Sequence, residues 1–420
     1  IRFFESTHIA NLYPLTLTRP AADLRCGILT IAEKWAMDLS AVEYGFEFNS
    51  ENLIHTSEEI HGNSEGNGAV NSEKVKGEKL AAENRQYLSD KFPIPQGKTT
   101  HYVNGHILPY PALVSSVKQL GPTESLWQNE TLIACGSEAW SQRFPNKTVW
   151  TGEIKTIDRP YHIFGFNGQE INADFTRLTV ARTSQTLNDS NRQFGAHPIF
   201  IEEGAKVNFA ILNTNDGPIY IGKNAEIMEG SLVRGPFALC EGAVLKMATK
   251  AYSNSTLGPY SVAGGEISNV VFWGYSNKGH DGFLGNAVIG EWCNLGADTN
   301  ASNLKNTYDD VKVWNYRTSR FDKSGVQFCG LIMGDHSKCG INTMFNTGTV
   351  VGVACNIFGS GFPRNFISDF SWGGAQGVVT HQLTAVDKTA TLVMPRRKRE
   401  YSEMERNIIH EVFSRWASKE

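Results

Sequence analysis

IGKNAEIMEGSLVRGPFALCEGAVLKMATKAYSNSTL, residues 221–257, decides the fold. Aliphatic side chains recur in it every six positions, at Ile221, Ile227, Val233, Leu239 and Leu245, and again at Leu257 after one skipped turn. Such a period suits neither an α-helix, which repeats about every 3.6 residues, nor an alternating strand, which repeats about every 2. It suits a triangular prism in which each turn has three short flat strands and each strand points one aliphatic side chain inward. The C-terminal half is therefore expected to be a left-handed parallel β-helix of hexapeptide repeats. A second register follows at Val271, Phe283, Ile289 and Leu295. Glycine follows the aliphatic residue in Leu284-Gly285, Ile289-Gly290, Leu295-Gly296, Val351-Gly352 and Phe358-Gly359, where it would relieve crowding at the corners.

Outward from this repeat the chain divides into three parts. Residues 1–195 read as mixed α/β, with strands such as Ile1–Phe4, Thr131–Cys135 and Lys147–Trp150 between helical stretches such as Leu29–Leu39 and Pro111–Gln119. Within this part, residues 49–84 are rich in Gly, Ser, Asn, Glu and Lys, have little to bury, and read as a surface insertion. The repeat occupies 196–375, interrupted at 303–328 by a charged and aromatic stretch expected to form a loop or hairpin extruded from one coil. In the tail, 376–420, Met404, Ile408, Ile409, Val412, Phe413 and Trp416 have helical spacing and predict a helix that caps the open end of the solenoid.

Composition narrows the class. At 420 residues the chain exceeds one ordinary core, which implies two domains. A formal net charge of −4, with no basic stripe before the last thirty or so residues, leaves no electrostatic footprint for nucleic acid. No run of about eighteen apolar residues is present to span a membrane, and Ile1-Arg-Phe-Phe-Glu lacks the pattern of a secretory signal. Seven scattered cysteines without CxxC or Cys/His zinc spacing read as reduced, mostly buried thiols of a cytoplasmic protein, and no metal site is expected from them.

Polar groups concentrate in the repeat at NKGHDGFLGNAVIGEWCNLGADTNASN, residues 277–303. Here His280, Phe283, Leu284, Gly285 and Asn286, then Asn294-Leu295-Gly296-Ala297-Asp298-Thr299, then Ser302-Asn303, match in order and separation a motif of His, aromatic, aliphatic, Gly, Asp/Asn, then Asn-Ile-Gly-Ala-Gly-Thr, then Cys-Asn. The segment resembles the acetyltransferase half of the bifunctional N-acetylglucosamine-1-phosphate uridylyltransferase/glucosamine-1-phosphate acetyltransferase family and its archaeal relatives. The resemblance implies an acyl-CoA-dependent acyltransferase, with acetyl-CoA as donor and a sugar phosphate or nucleotide sugar as acceptor. His280 would be the general base, suited by a pKa near working pH. The Ala297 N–H would stabilise the oxyanion, and Asn294 and Asn303 would hold the acceptor. Lys278 and Lys305 are candidates for a phosphate, and Arg364, Arg396, Arg397 and Lys398 for the phosphates of the acyl-CoA. Phe283 and Leu304 stand where the family has tyrosines, which leaves the base in place and the acceptor open. Solenoids of this family pack as trimers, so a homotrimer is implied.

Near the start, Leu12-Tyr-Pro14-Leu15-Thr16-Leu17-Thr18-Arg19-Pro20 resembles the opening of sugar-phosphate nucleotidyltransferases, whose Rossmann-like α/β domain wraps nucleotide phosphates in a glycine-rich loop. Where those enzymes read Gly-x-Gly-Thr-Arg, this chain has Thr7-His8-Ile9-Ala10-Asn11, and Ala21 stands in place of the catalytic lysine. The Asn-Gly-Asp motif, whose acid holds Mg²⁺, has Asn104-Gly105-His106 as its counterpart. The expectation is a nucleotidyltransferase-type domain that has lost its tools, with Mg²⁺ needed only if it remains active. The alternatives are a working sugar-1-phosphate nucleotidyltransferase that rebuilt its phosphate loop with Arg19, Asp23 and Arg25, or a non-catalytic sugar-nucleotide scaffold.

Overall fold

The computed structural model describes residues 1–6, 8–48, 85–94 and 96–417; the insertion expected at 49–84, and Thr7, lie outside the described residues. It divides into two compact units, one of residues 1–24, 29–159 and 315–319, the other of residues 25–28, 160–314 and 320–420.

Among the described residues of the first unit, short runs of apolar and β-branched residues make six strands: β1 (Arg2–Phe4), β2 (Gly45–Glu47), β3 (His101–Asn104), β4 (Glu124–Gln128), β5 (Thr131–Gly136) and β6 (Asn146–Val149). They form one sheet in the order β2-β1-β3-β5-β4-β6, with β1 parallel to β2 and β3, and β5 antiparallel to β3. The helix Ile31–Asp38 starts at a capping box, Thr30 accepting from the Glu33 N–H and Glu33 from the Thr30 N–H. Tyr102 stacks on Trp140 with ring centroids 4.5 Å apart, and Phe4 packs against the same indole.

The second unit is the left-handed parallel β-helix read from the hexapeptide period. Ile221, Ile227, Val233, Leu239, Leu245 and Leu257 all enter one continuous core, and the skipped position is Ala251, which points inward too. One face is a ten-stranded sheet whose strands pair in parallel except the last, the hairpin of Ser371–Gly374 with Gly377–Thr380. The second register needs correction by one residue: Phe272 and Leu284 belong to the interior stack, not Val271 and Phe283. In those two coils the chain turns its corner within nine-residue strands, Glu266–Gly274 and Phe283–Glu291, so the corner shortens and the count of six slips. The glycines answer crowding between coils: a Cβ at Gly290 or Gly352 would strike Asp335 or Asp369 of the next coil.

The interruption at 303–328 does carry a hairpin, Lys312–Asn315 with Arg320–Lys323. A helix not expected from sequence, Pro160–Thr179, packs on the solenoid through Ile163, Asn167, Ile171 and Phe175. Gly165, Gly168 and a buried asparagine disguise its apolar stripe; the Asn167 amide accepts from Gly27 N–H at 2.7 Å and donates to the Asn254 carbonyl at 2.8 Å. In the tail, helix Glu403–Trp416 buries Ile408, Ile409 and Val412, and Phe413 meets Phe370 edge-on. The capping role expected of this helix is shared. The final hairpin pairs the last strand of the ten-stranded sheet, while a second tail helix, Leu383–Val393, lies against the solenoid flank with Ala390 and Met394 on Trp292.

Candidate functional site

The polar constellation of residues 277–303 is spread by the coil geometry over the two edges of the ten-stranded sheet. At one edge, where the chain leaves the two-residue strands Asn277–Lys278 and Asn294–Leu295, lies an open cavity of about 580 Å³. Lys246, Met247, Gly279, His280, Asp281, Ala297 and Asp298 line it together with Gly264 and Gly265. His280 is exposed and, among the described residues, no hydrogen bond ties its ring. The Ala297 carbonyl accepts from Asn342 N–H at 2.8 Å, whereas no described acceptor takes its N–H. A free imidazole and a free amide donor thus share one cavity, which suits proton abstraction beside a carbonyl oxygen.

At the opposite edge of the same strands lies a second cavity, of about 390 Å³, lined by Tyr275, Asn277, Trp292, Asn294, Lys338, Arg396 and Arg397 among others. One wall is an aromatic ladder: Tyr260 stacks on Tyr275 at 5.4 Å and Tyr275 on Trp292 at 4.5 Å, each in the left-handed backbone region at successive corners. The other is the tail, where Arg399 reaches over Tyr275. Lys338 donates to the His336 carbonyl at 2.8 Å, and burial pulls its pKa down.

The other residues singled out from sequence fall elsewhere. Asn294 lies in the arginine-lined cavity, not with His280, and accepts from the Asn277 amide. Asn303 is held in the next coil, donating to Asn286 at 2.8 Å. Lys305 is tied within the insertion, to the Asp310 carbonyl at 2.6 Å. Arg364 is exposed and lines neither cavity, and Lys398 turns the chain in the left-handed region after Arg397. Lys278 cannot meet a phosphate: only 1% exposed, it gives its ammonium to the carbonyls of Gly264, His280 and Asp281. The contribution of Tyr275 and Trp292 was missed, although two aromatics 17 residues apart, close to the three-strand coil length, were the available signal.

In the first unit the loop after β1 encloses itself. Ile9–Ala22 is buried throughout. The buried Arg85 donates to Glu5 at 2.5 Å, to the Arg19 carbonyl at 2.6 Å and to the Thr16 carbonyl, while Glu5 accepts from Ala21 N–H. Arg19, 3% exposed, pairs with Asp23 at 3.3 Å, and Arg25, in the second unit, donates to the Ile28 and Trp273 carbonyls. These three residues do not form a phosphate loop. A cavity of about 260 Å³ remains at the ends of β1 and β3, lined by Ser6, His8, Asn104, His106, Glu130 and Asp158 among others. His106 takes the place of the motif's acid, with Nδ1 3.2 Å from the Ile157 carbonyl. His8 accepts from Arg317 at 2.7 Å, and burial first, then that guanidinium, lowers its pKa. The cavity's carboxylates are Glu130 and Asp158, and neither stands at the motif position, where His106 replaces the acid.

Residues 1–83 and 71–183 match the family described as sugar nucleotidyl transferase, a span short of half the chain. A stretch of 76 residues is 40% identical to the "Bifunctional protein GlmU" of Methanocaldococcus jannaschii, and covers 18% of each chain, so only that share of the relative is spanned. The chain is similar to the bifunctional sugar-phosphate nucleotidyltransferase/acetyltransferase family, and the likeness is to transferases. Solved structures similar to it include the polysialic acid O-acetyltransferase OatWY (12% identity, 45% of this chain and 88% of that one, TM-score 0.26). The polySia-specific acetyltransferase NeuO is another (13%, 46% and 87%, TM-score 0.21). A third is UDP-N-acetylglucosamine acyltransferase from Campylobacter jejuni (13%, 55% and 96%, TM-score 0.20).

Proposed function

We propose that the solenoid transfers an acyl group from acyl-CoA, acetyl-CoA in the first instance, to a sugar phosphate or nucleotide sugar. The observation that carries this reading is the pair of cavities on either side of one two-residue strand: His280 with the free Ala297 N–H on one side, Arg396 and Arg397 with an aromatic wall on the other. The residues fit an acyl-CoA. Arginines suit its phosphates and stacked aromatic faces its adenine. The intervening strand, roughly 7 Å across at about 3.3 Å per residue, is short enough for the pantetheine arm to cross. Its outer surface there is nearly bare, because Gly264, Gly279, Gly296 and Gly340 succeed one another along the edge facing His280. The bound donor would supply an activated thioester carbonyl. His280 would take the proton from the acceptor amine or hydroxyl, the Ala297 N–H would hydrogen-bond the carbonyl oxygen, and Asn294 would bind along the donor's path rather than at the acceptor.

A second reading, nucleotidyl transfer by the first unit, is favoured by the family match over residues 1–183. It is opposed by the buried loop after β1 and by His106 in the place of an acid. Isothermal titration separates the two. Micromolar binding of acetyl-CoA, with no heat from nucleoside triphosphates plus Mg²⁺, supports acyl transfer. Binding of a triphosphate and not of acetyl-CoA overturns it. Thiol release from acetyl-CoA across a panel of amino-sugar phosphates and nucleotide sugars then identifies the acceptor.

A further inference from the structure

On the inner side of the ten-stranded sheet the stacked residues run Leu245, Ala263, Lys278, Leu295 and Cys339. A lysine stands where every neighbouring coil has an apolar side chain. Its ammonium has three protons to give, and three carbonyls receive them: Gly264 at 3.1 Å, His280 at 2.9 Å and Asp281 at 3.3 Å. Burial draws its pKa from 10.5 down to about 8, a measure of how dry the position is.

The equivalent corners of other coils show what this lysine replaces. At 246–249, 296–299 and 340–343 the fourth residue is a threonine whose hydroxyl donates to the carbonyl of the first: Thr249 to Lys246 at 2.6 Å, Thr299 to Gly296 at 2.7 Å, Thr343 to Gly340 at 2.8 Å. At 279–282 the fourth residue is Gly282, which has a φ of +111° and no hydroxyl. A Cβ there would strike the Thr299 carbonyl, so a threonine cannot be accommodated. This corner is the one that carries His280, and it is held from inside the solenoid instead of by its own side chain.

We propose that Lys278 is a positioning residue for His280: bonded from within the coil to the His280 and Asp281 carbonyls, it turns them inward and so presents the imidazole to the cavity shared with Ala297. The claim rests on the acyl-transfer reading, and its test has an arm independent of activity. In Lys278→Met, hydrogen exchange should quicken on the order of tenfold at the Asp298 amide, which is bonded to the Asp281 carbonyl at 3.0 Å, and at the Glu266 amide, bonded to Gly282. The corner at 340–343 should keep its protection. With an acceptor in hand, kcat should fall on the order of tenfold while KM and acetyl-CoA affinity stay as in wild type, a split that general loss of structure would not give. Wild-type protection at 279–283, 266 and 298, or an unchanged kcat, overturns the proposal. Should the variant not fold, the wild-type protein serves. Opening that frees this lysine takes up a proton between its folded pKa of about 8 and its free value of 10.5, so raising pH from 7 to 9.5 should raise protection at this corner relative to that at 340–343, and equal protection at both overturns the proposal. Failure of acyl transfer altogether would show as absent acetyl-CoA binding in the wild type, which leaves the exchange result to judge the lysine by itself.

Discussion

The loop after β1 and the corner at 279–282 descend from the two motif-bearing parts of the sequence, and they use their polar groups in opposite ways. After β1 the guanidinium groups turn to the protein: Arg85 gives its two terminal nitrogens to Glu5 and two carbonyls, and Arg19 closes on Asp23. At 279–282 the saturated group is the buried lysine beneath, and what faces solvent is an untied imidazole near an untied amide. A site that binds and reacts must keep donors and acceptors unpaired until the ligand arrives, and a site that only folds cannot leave them so. On this contrast rests the proposal that the solenoid, and not the first unit, carries the chemistry.

The sharpest way to break this contrast is to remove one histidine from each region. His280→Ala should lower kcat for acyl transfer by about 10²–10⁴-fold, the usual worth of a general base, with acetyl-CoA affinity unchanged. His106→Ala should leave that rate within about twofold. The measurement is thiol release under saturating donor; equal losses in both variants would dissolve the distinction.

The next largest effect lies in the first unit. Arg85→Met strands the buried carboxylate of Glu5 and the two carbonyls, of Thr16 and Arg19, that depended on the guanidinium, and should destabilise by about 3–5 kcal/mol. Urea unfolding followed by the first unit's tryptophans checks it. If the loop instead waits for a ligand, the loss should shrink when a nucleoside triphosphate is added, and the contrast drawn above would fail.

Sequence carried the solenoid far better than the site. Ile221 through Leu257 could be read as one inward stack because an interior only one side chain wide tolerates little but aliphatics at fixed spacing. The reading slipped at Val271 and Phe283, since corner length is set by backbone turns such as those at Asn269 and Asn286, which have positive φ, and not by hydrophobicity. His280 and Ala297, singled out from motif spacing, line one cavity, and that shared lining is as far as the structure takes the motif. Lys278 was misread because a lysine between polar residues looks exposed, and nothing local reveals that it falls on the inward position of its strand. The helix Pro160–Thr179 was hidden for the converse reason, a polar Asn167 on its buried face.

Lys278 also gives a prediction in pH. Its pKa is about 8 when folded and 10.5 otherwise, so between these values the unfolded chain holds more protons and stability rises with pH. The slope approaches about 1.4 kcal/mol per pH unit in mid-window. The buried thiols act in the opposite sense, since burial pushes Cys135, Cys329 and Cys355 up to about 12. Only the difference between wild type and Lys278→Met isolates the lysine. Urea midpoints at pH 8, 9 and 10 should therefore favour the wild type increasingly as pH rises, and parallel midpoints would place the ammonium in water.

The smallest effect concerns the far edge of the same strands, and it asks whether the donor's phosphates sit where the arginines do. Arg396→Gln should weaken acetyl-CoA binding about tenfold, near 1.4 kcal/mol, as loss of one charge-assisted contact does. Arg397→Gln should behave alike, because both side chains line the cavity beside Tyr275 and Trp292. Arg364→Gln should change nothing: it is equally cationic but lines neither cavity. Titrations at about 0.05 M and 0.5 M salt sharpen the point, since a partly enclosed arginine–phosphate contact is screened less than a diffuse attraction to an exposed cation. A tenfold loss at 396 and 397 that persists in salt, with none at 364, fixes the donor across the strand from His280. Equal small losses at all three, vanishing in salt, would mean that the arginines attract the donor without holding it, and its path would have to be sought on another face of the solenoid.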